Sequence, residues 1–195
     1  MDAMKINADF NLKVVIKPEE MTWNPSPVPG INRAYLDRVG GEVAKASSIV
    51  KYKPNSTFTQ HEHGEGEEIL VLDGTFSDEN GNYSAGTYLR NPPNSKHSPY
   101  SKTGCTLFVK LRHFHPEDIA IVKINTQTEI WHQGLVPGLS VMPLHEFNGV
   151  GTALVRWAPN TIFNPHEFDL FNNGELIGPA KECKCFYRGS CVDGE

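Results

Sequence analysis

The sequence predicts an all-β fold of the sandwich or jelly-roll kind. Short apolar runs recur at regular spacing, Gly and Pro punctuate the gaps between them, and no long stretch carries a helical period. The first strand expected is NLKVVI, residues 11 to 16, a candidate for pairing across a homodimer interface. A second apolar run, IVKYKPNSTFTQHEH, covers residues 49 to 63. Glu67 to Phe76 follows as an apolar strand, and Asp78-Glu79-Asn80-Gly81 is a hairpin turn of the Asn-Gly kind. Tyr83 to Arg90 returns, Asn91-Pro92-Pro93-Asn94 turns again, and Cys105 to Phe114 is the last strand of this unit.

With 195 residues and 38% hydrophobic content, the chain has material for one large domain or two small ones. Its formal charge of -5 and the lack of any basic block argue against nucleic acid as a partner. No apolar run reaches signal-peptide or membrane-span length, so the expectation is a cytoplasmic protein without a membrane partner. Cys105 stands alone in an apolar strand, while Cys183, Cys185 and Cys191 crowd the tail. That spacing fits a reducing compartment better than a disulfide framework, and three thiols without a clear fourth ligand are a weak zinc signal.

An internal repeat organises the chain. WNPSPVPGINRAYL from Trp23 lies over WHQGLVPGLSVMPL from Trp131 at an offset of about 108, matching Val28-Pro29-Gly30 to Val136-Pro137-Gly138. IVKYKPNSTFTQHEH then lies over LVRWAPNTIFNPHEF, residues 154 to 168, at an offset of about 105, so a small deletion separates the two blocks. Two domains are expected: residues 1–118, and a shorter copy over 119–195. In the second copy His166 keeps the first histidine, but Phe168 and Asn172 stand where His63 and Glu67 have their counterparts, so it is expected to be metal-free.

The chemistry sits in HEHGEGEEILVLDG, residues 61 to 74. In a strand, residues i and i+2 share a face, so His61 and His63 can point together into a barrel interior. A bend at Gly64 and Gly66 lets the next strand open with Glu67 beside the imidazoles, and His97, after the Pro-Pro turn, supplies a fourth donor. Three imidazoles and a carboxylate suit Zn, Fe, Mn, Ni or Cu, and spacing does not choose among them.

His61-x-His63-x3-Glu67-x6-Gly74, followed by Gly86-x5-Pro92-x-Asn94-x2-His97, resembles the two signature motifs of the cupin superfamily, whose fold is a double-stranded β-helix jelly roll. The fuller string from His61 to Pro99 more narrowly resembles the cupin domain of ChrR-type anti-sigma factors and their stand-alone relatives, with which acetylacetone dioxygenase-like proteins are grouped. The resemblance implies a bicupin with a truncated second barrel, and metal ligands at His61, His63, Glu67 and His97. It further implies one divalent transition metal per chain, zinc or iron, with manganese or nickel as alternatives. Two functions follow as expectations: a non-haem iron dioxygenase cleaving a small enolisable carbonyl compound, or a zinc-binding sensor without catalytic activity. Only about 22 residues precede Trp23, with no Cys or His, so sigma-factor binding is not carried over.

Asn94 stands where the second motif usually has glycine and tolerates a left-handed turn. Ser101, where asparagine often follows, is expected on the pocket wall. Glu65 and Glu68 are read as surface acids, and His113 as a satisfied strand-end histidine. His132, His145 and His166 are read as structural or surface residues. Tyr88 and Arg90 lie near the pocket strand and could orient an anionic substrate, but alternate strand residues face opposite ways, which leaves open which face is inside.

Overall fold

The computed structural model describes residues 4–9, 12, 14–41 and 43–162, with the backbone of 184–185. His166, Phe168, Asn172, Cys183 and Cys191 lie outside the described residues, as does the side chain of Cys185. The chain divides into two units, residues 1–127 and 128–195. The sole helical element among the described residues is a 3-10 turn at Pro18–Glu20. No described helix is long and apolar enough to cross a membrane.

The first unit is built from β1 (Lys5–Ile6), β2 (Trp23–Pro25), β3 (Ile31–Gly40), β4 (Ala44–Tyr52), β5 (Ser56–Thr57), β6 (His61–His63) and β7 (Glu67–Asp78). It continues with β8 (Gly81–Ser84), β9 (Thr87–Asn91), β10 (Ser95–His97), β11 (Tyr100–Ser101), β12 (Cys105–Leu111) and β13 (Val122–Asn125). The main order is β1-β3-β4-β12-β7-β11-β5, with β6 and β10 as a separate pair. These pairings are antiparallel, and β7 joins two layers. Its first half lies between β12 and β9, and its second half pairs with β8 and meets β11. The switch falls at Gly74, which has φ +73°; a Cβ there would collide with the carbonyl of Gly104. Only glycine takes both that backbone and that approach.

The core follows from alternation. Val50 and Tyr52 of β4, Ile69 and Val71 of β7, and Leu107 and Val109 of β12 point inward with Ile31, Phe76 and Leu89. Each large apolar side chain buried in this way contributes about 1.5–3 kcal/mol. Cys105 belongs to this core as a buried free thiol, and burial raises its pKa to about 11. At its far end the unit extends past residue 118, because β13 pairs with β9.

Two strand expectations change. Residues 14–17 form no regular strand; the N-terminal pairing is made by β1, with Lys5 opposite Val39. The last strand of the barrel stops at Leu111, because Arg112 takes φ +63° and breaks the alternation, so His113 and Phe114 leave the strand.

The second unit contains β14 (His132–Gln133), β15 (Leu139–Phe147), β16 (Val150–Trp157) and β17 (Lys184–Cys185). Here β15 and β16 form a hairpin closed by Asn148 and Gly149, both at positive φ, the two-residue turn that matches strand twist. The β15–β16 hairpin repeats β3–β4 in register: Leu139 faces Trp157 as Ile31 faces Tyr52, and Val141 faces Val155 as Arg33 faces Val50. Both ladders shift register at the equivalent leucine, Leu36 between Tyr35 and Asp37, and Leu144 between Pro143 and His145. The deletion between the repeat blocks lies in the turn, which is tight at Asn148-Gly149 and longer between Gly40 and Ala44.

Candidate metal centre

Pairing of β6 with β10 places His97 opposite His61 and Ser95 opposite His63. Two-residue alternation then turns all three imidazoles to one side. The chain bends at Gly66, with φ +81°, where a Cβ would run into the Phe114 ring. Glu67 therefore opens β7 directly beside the rings. Asn94 holds the β9–β10 turn at φ +66°, the left-handed conformation expected of it.

The donor atoms of His61, His63, Glu67 and His97 all lie within 4.8 Å of one another, the one such group among the described residues. His63 Nε2 is 3.2 Å from His61 Nε2 and 3.1 Å from Glu67 Oε2, while His97 Nε2 is 3.6 Å from the same carboxylate oxygen. Behind them stand further polar groups. His61 Nδ1 lies 3.1 Å from the Thr59 carbonyl, which can only accept, so the proton sits on Nδ1 and Nε2 presents its lone pair. His63 Nδ1 is 3.0 Å from Ser95 Oγ. His97 Nδ1 faces Asp78 at 3.5 Å, and that carboxylate accepts from the Tyr83 hydroxyl at 2.9 Å. Asn91 Nδ2 donates to Glu67 at 3.3 Å.

The electrostatics follow from burial and from these contacts. Burial lowers the pKa of His61. Burial also pulls down on His63, but the hydrogen bond and charge of Glu67 outweigh it and the net shift is upward. Burial would raise Glu67, yet the hydrogen bond to His63 and the surrounding imidazoles hold it down at about 2. The cluster is a fixed carboxylate with convergent ring nitrogens, a donor set that can hold a divalent transition metal.

A cavity of about 250 Å³ lies on this cluster. Its walls are apolar side chains such as Phe58, Ile69 and Leu107, with Tyr52 and the arginines Arg33, Arg38 and Arg112 at polar positions. Polar and charged side chains share the wall with apolar ones in similar measure, a lining suited to a small polar molecule.

Several sequence expectations are corrected here. Glu68 is not a surface acid: it is 1% exposed and bonded to the Arg90 guanidinium and, at 3.0 Å, to the Tyr88 hydroxyl. Arg90 also pairs with Asp118 and lies over the Phe114 ring, 3.8 Å from its centroid. Tyr88 and Arg90 thus both belong to a buried ion-pair network and neither lines the cavity. Ser101 is no pocket wall either; its hydroxyl donates to the Thr75 carbonyl at 2.6 Å inside the fold. Glu65 is exposed and pairs with Arg112, His132 is exposed, and His145 is half-buried. Thr59, Asp78, Asn91 and Ser95 went unread in the sequence. Ser95 was accessible in principle, since it shares a strand face with His97.

Residues 11–115 match the family described as the ChrR cupin-like domain. No curated protein matches the chain. Among solved structures, the chain is similar to the anti-sigma factor ChrR of Rhodobacter sphaeroides, solved in complex with SigE. The two share 24% identity over 49% of this chain and 51% of that one, with a TM-score of 0.42, so this chain spans about half of ChrR's length. A putative acetylacetone dioxygenase of Methylibium petroleiphilum shares 20% identity over 60% of this chain and 95% of that one, at a TM-score of 0.44. The putative glyoxylate-induced protein of Pseudomonas aeruginosa is 10% identical over 75% of this chain and 64% of that one, and its TM-score of 0.57 speaks to the fold. With its family match covering more than half of its residues, this chain belongs to the ChrR cupin-like domain family.

Proposed function

We propose that the chain is a metal-dependent enzyme that takes a small enolisable carbonyl compound, such as a β-diketone, and cleaves it with O2. The observation that supports this reading is the cavity lying directly on four convergent donors, His61, His63, Glu67 and His97. These four residues are the proposed ligands of one divalent transition metal per chain. A bound ion of this kind supplies Lewis acidity toward paired carbonyl oxygens and, where it is iron, reactivity toward O2. The residues of this chain do the rest: Thr59 and Ser95 orient the His61 and His63 rings, the Asp78 carboxylate lies 3.5 Å from His97 Nδ1, and Phe58, Ile69 and Leu107 supply the apolar part of the cavity wall.

A second reading is a zinc-binding sensor in which all four ligands close the site. It draws on Glu67, which is buried and held by Asn91 at 3.3 Å within the cluster, an arrangement suited to a permanent ligand. We also read residues 119–195 as a degenerate, truncated second cupin repeat after a metal-binding domain, supported by the in-register hairpins.

Metal content and oxygen consumption separate the two functions. Protein purified without added metal or chelator is assayed by elemental mass spectrometry, beside a His97→Ala control, and then supplied with acetylacetone and related dioxo compounds. The enzyme reading expects iron near one per chain, lost in the variant, and oxygen uptake that depends on it. Zinc at that ratio without turnover would favour the sensor.

A further inference from the structure

The strand β3 carries residues that a plain core strand would not need. Ile31, Arg33 and Tyr35 alternate onto the cavity wall, and the register shift at Leu36 then returns Arg38 to the same wall. The Arg33 guanidinium lies 5.9 Å from the Phe58 ring centroid, and that ring is 4.9 Å from the His61 ring. Arg33, Phe58 and His61 thus lie near one another on the wall of the same cavity. Arg38 stacks 5.0 Å from the Tyr35 centroid and donates to the Gly41 carbonyl.

The acids of the wall are already engaged. Glu62 pairs with Lys96 at 3.1 Å, Glu65 pairs with Arg112, and Glu67 sits among the histidines. Among the described residues no carboxylate forms an ion pair with Arg33 or Arg38. The repeat provides an internal control. The β15–β16 hairpin has the same register and the same shift, yet carries Val141 at the position of Arg33 and Glu146 at that of Arg38. The hairpin therefore does not need Arg33, whereas Arg38 also braces the longer turn of the first copy through the Gly41 carbonyl.

We propose that Arg33, assisted by Arg38, binds a carboxylate, so that the substrate is a small dioxo acid rather than a neutral diketone. This rests on the metal reading above, with the dioxo end of the ligand at the histidines and its carboxylate at Arg33. A charge-assisted bond of this kind is worth about tenfold or more in affinity.

The test uses two probes, 2,4-dioxopentanoate and acetylacetone, which differ by a carboxylate in place of one methyl group. Each is titrated by calorimetry into the full-length protein, Co(II)-loaded and metal-free, for the wild type, Arg33→Gln and Arg33→Lys. The expected result is that the wild type prefers the acid by about tenfold or more. Arg33→Gln should abolish that preference, with acetylacetone affinity and Co(II) stoichiometry unchanged, and Arg33→Lys should restore part of it. Equal affinity for the two probes in the wild type, or a parallel loss of both in Arg33→Gln, overturns the proposal. If the wild type takes up no Co(II), the metal reading falls, and the preference measured on metal-free protein still supports or overturns the role of Arg33.

Discussion

The hairpins β3–β4 and β15–β16 are the same object built twice, and they differ in what they carry. Gly30 and Gly138 enter the two hairpins at φ +83° and +89°. Their carbonyls accept from Lys53 and Ala158, each at 2.8 Å, and the amides of Ser56 and Thr161 close the exit turns at 3.2 Å. Lys51 lies 4.3 Å from the Trp23 ring, and Arg156 lies 3.9 Å from the Trp131 ring. Even Asn55 and Asn160, just past the strands, share a left-handed backbone at φ +60° and +62°. The cavity arginines have no such counterparts, and the first copy runs on into β6, β10 and the four-donor cluster. A scaffold and its chemistry are thus encoded separately: about thirty residues specify the hairpin, while the site needs a barrel around it.

Matched substitutions sharpen that separation. The largest effect is expected at the network that closes the first unit. Arg90→Ala removes the guanidinium that bridges the buried Glu68 and Asp118, at a cost of about 3–5 kcal/mol measured by urea unfolding. A wild-type-like unfolding curve would place that network outside the cooperative core.

Next comes the metal. With free metal at 100 times its dissociation constant, the ion should stabilise the wild type by about 2.7 kcal/mol, and that increment should vanish in His97→Ala. His132→Ala and His145→Ala, in the second unit, should retain it in full. Melting curves with and without metal read all four proteins.

A smaller pair tests the entry glycines. Gly30→Ala and Gly138→Ala each impose a Cβ on a left-handed residue, against the Ser56 and the Thr161 side chains respectively, so each should lose about 1–2 kcal/mol. Only the first should also weaken metal binding, since its hairpin walls the cavity. Smallest of all, Lys51→Ala and Arg156→Ala should each cost about 0.5–1 kcal/mol through the lost ring contact. Unequal costs would show that the second hairpin is not the energetic twin of the first.

The histidine cluster was legible in two parts. Two-residue alternation and the glycine bend group His61, His63 and Glu67, while His97, on the separate strand β10 that pairs with β6, was placed with them by the resemblance to the cupin motifs. What stayed hidden depended on distant partners. Glu68 reads as a surface acid until Arg90, which also holds Asp118, meets it across the sheet. The wall position of Arg38 depends on a register shift at Leu36 that no residue type announces, and the end of β12 depends on one left-handed arginine. The NLKVVI run has strand composition, yet its described residues 14–16 form no strand, because edge pairing is decided by which neighbour offers free backbone groups. Here β1 pairs with β3 instead.

The central claim is that three imidazoles and the Glu67 carboxylate hold one metal ion. X-ray absorption at the edge of the metal that co-purifies with the full chain tests it most directly. The account predicts a shell of nitrogen and oxygen ligands only, at about 2.0–2.2 Å if the ion is zinc, with imidazole scattering that is lost in His97→Ala. A sulfur shell near about 2.3 Å, unchanged in that variant, would place the metal on cysteine and contradict the claim.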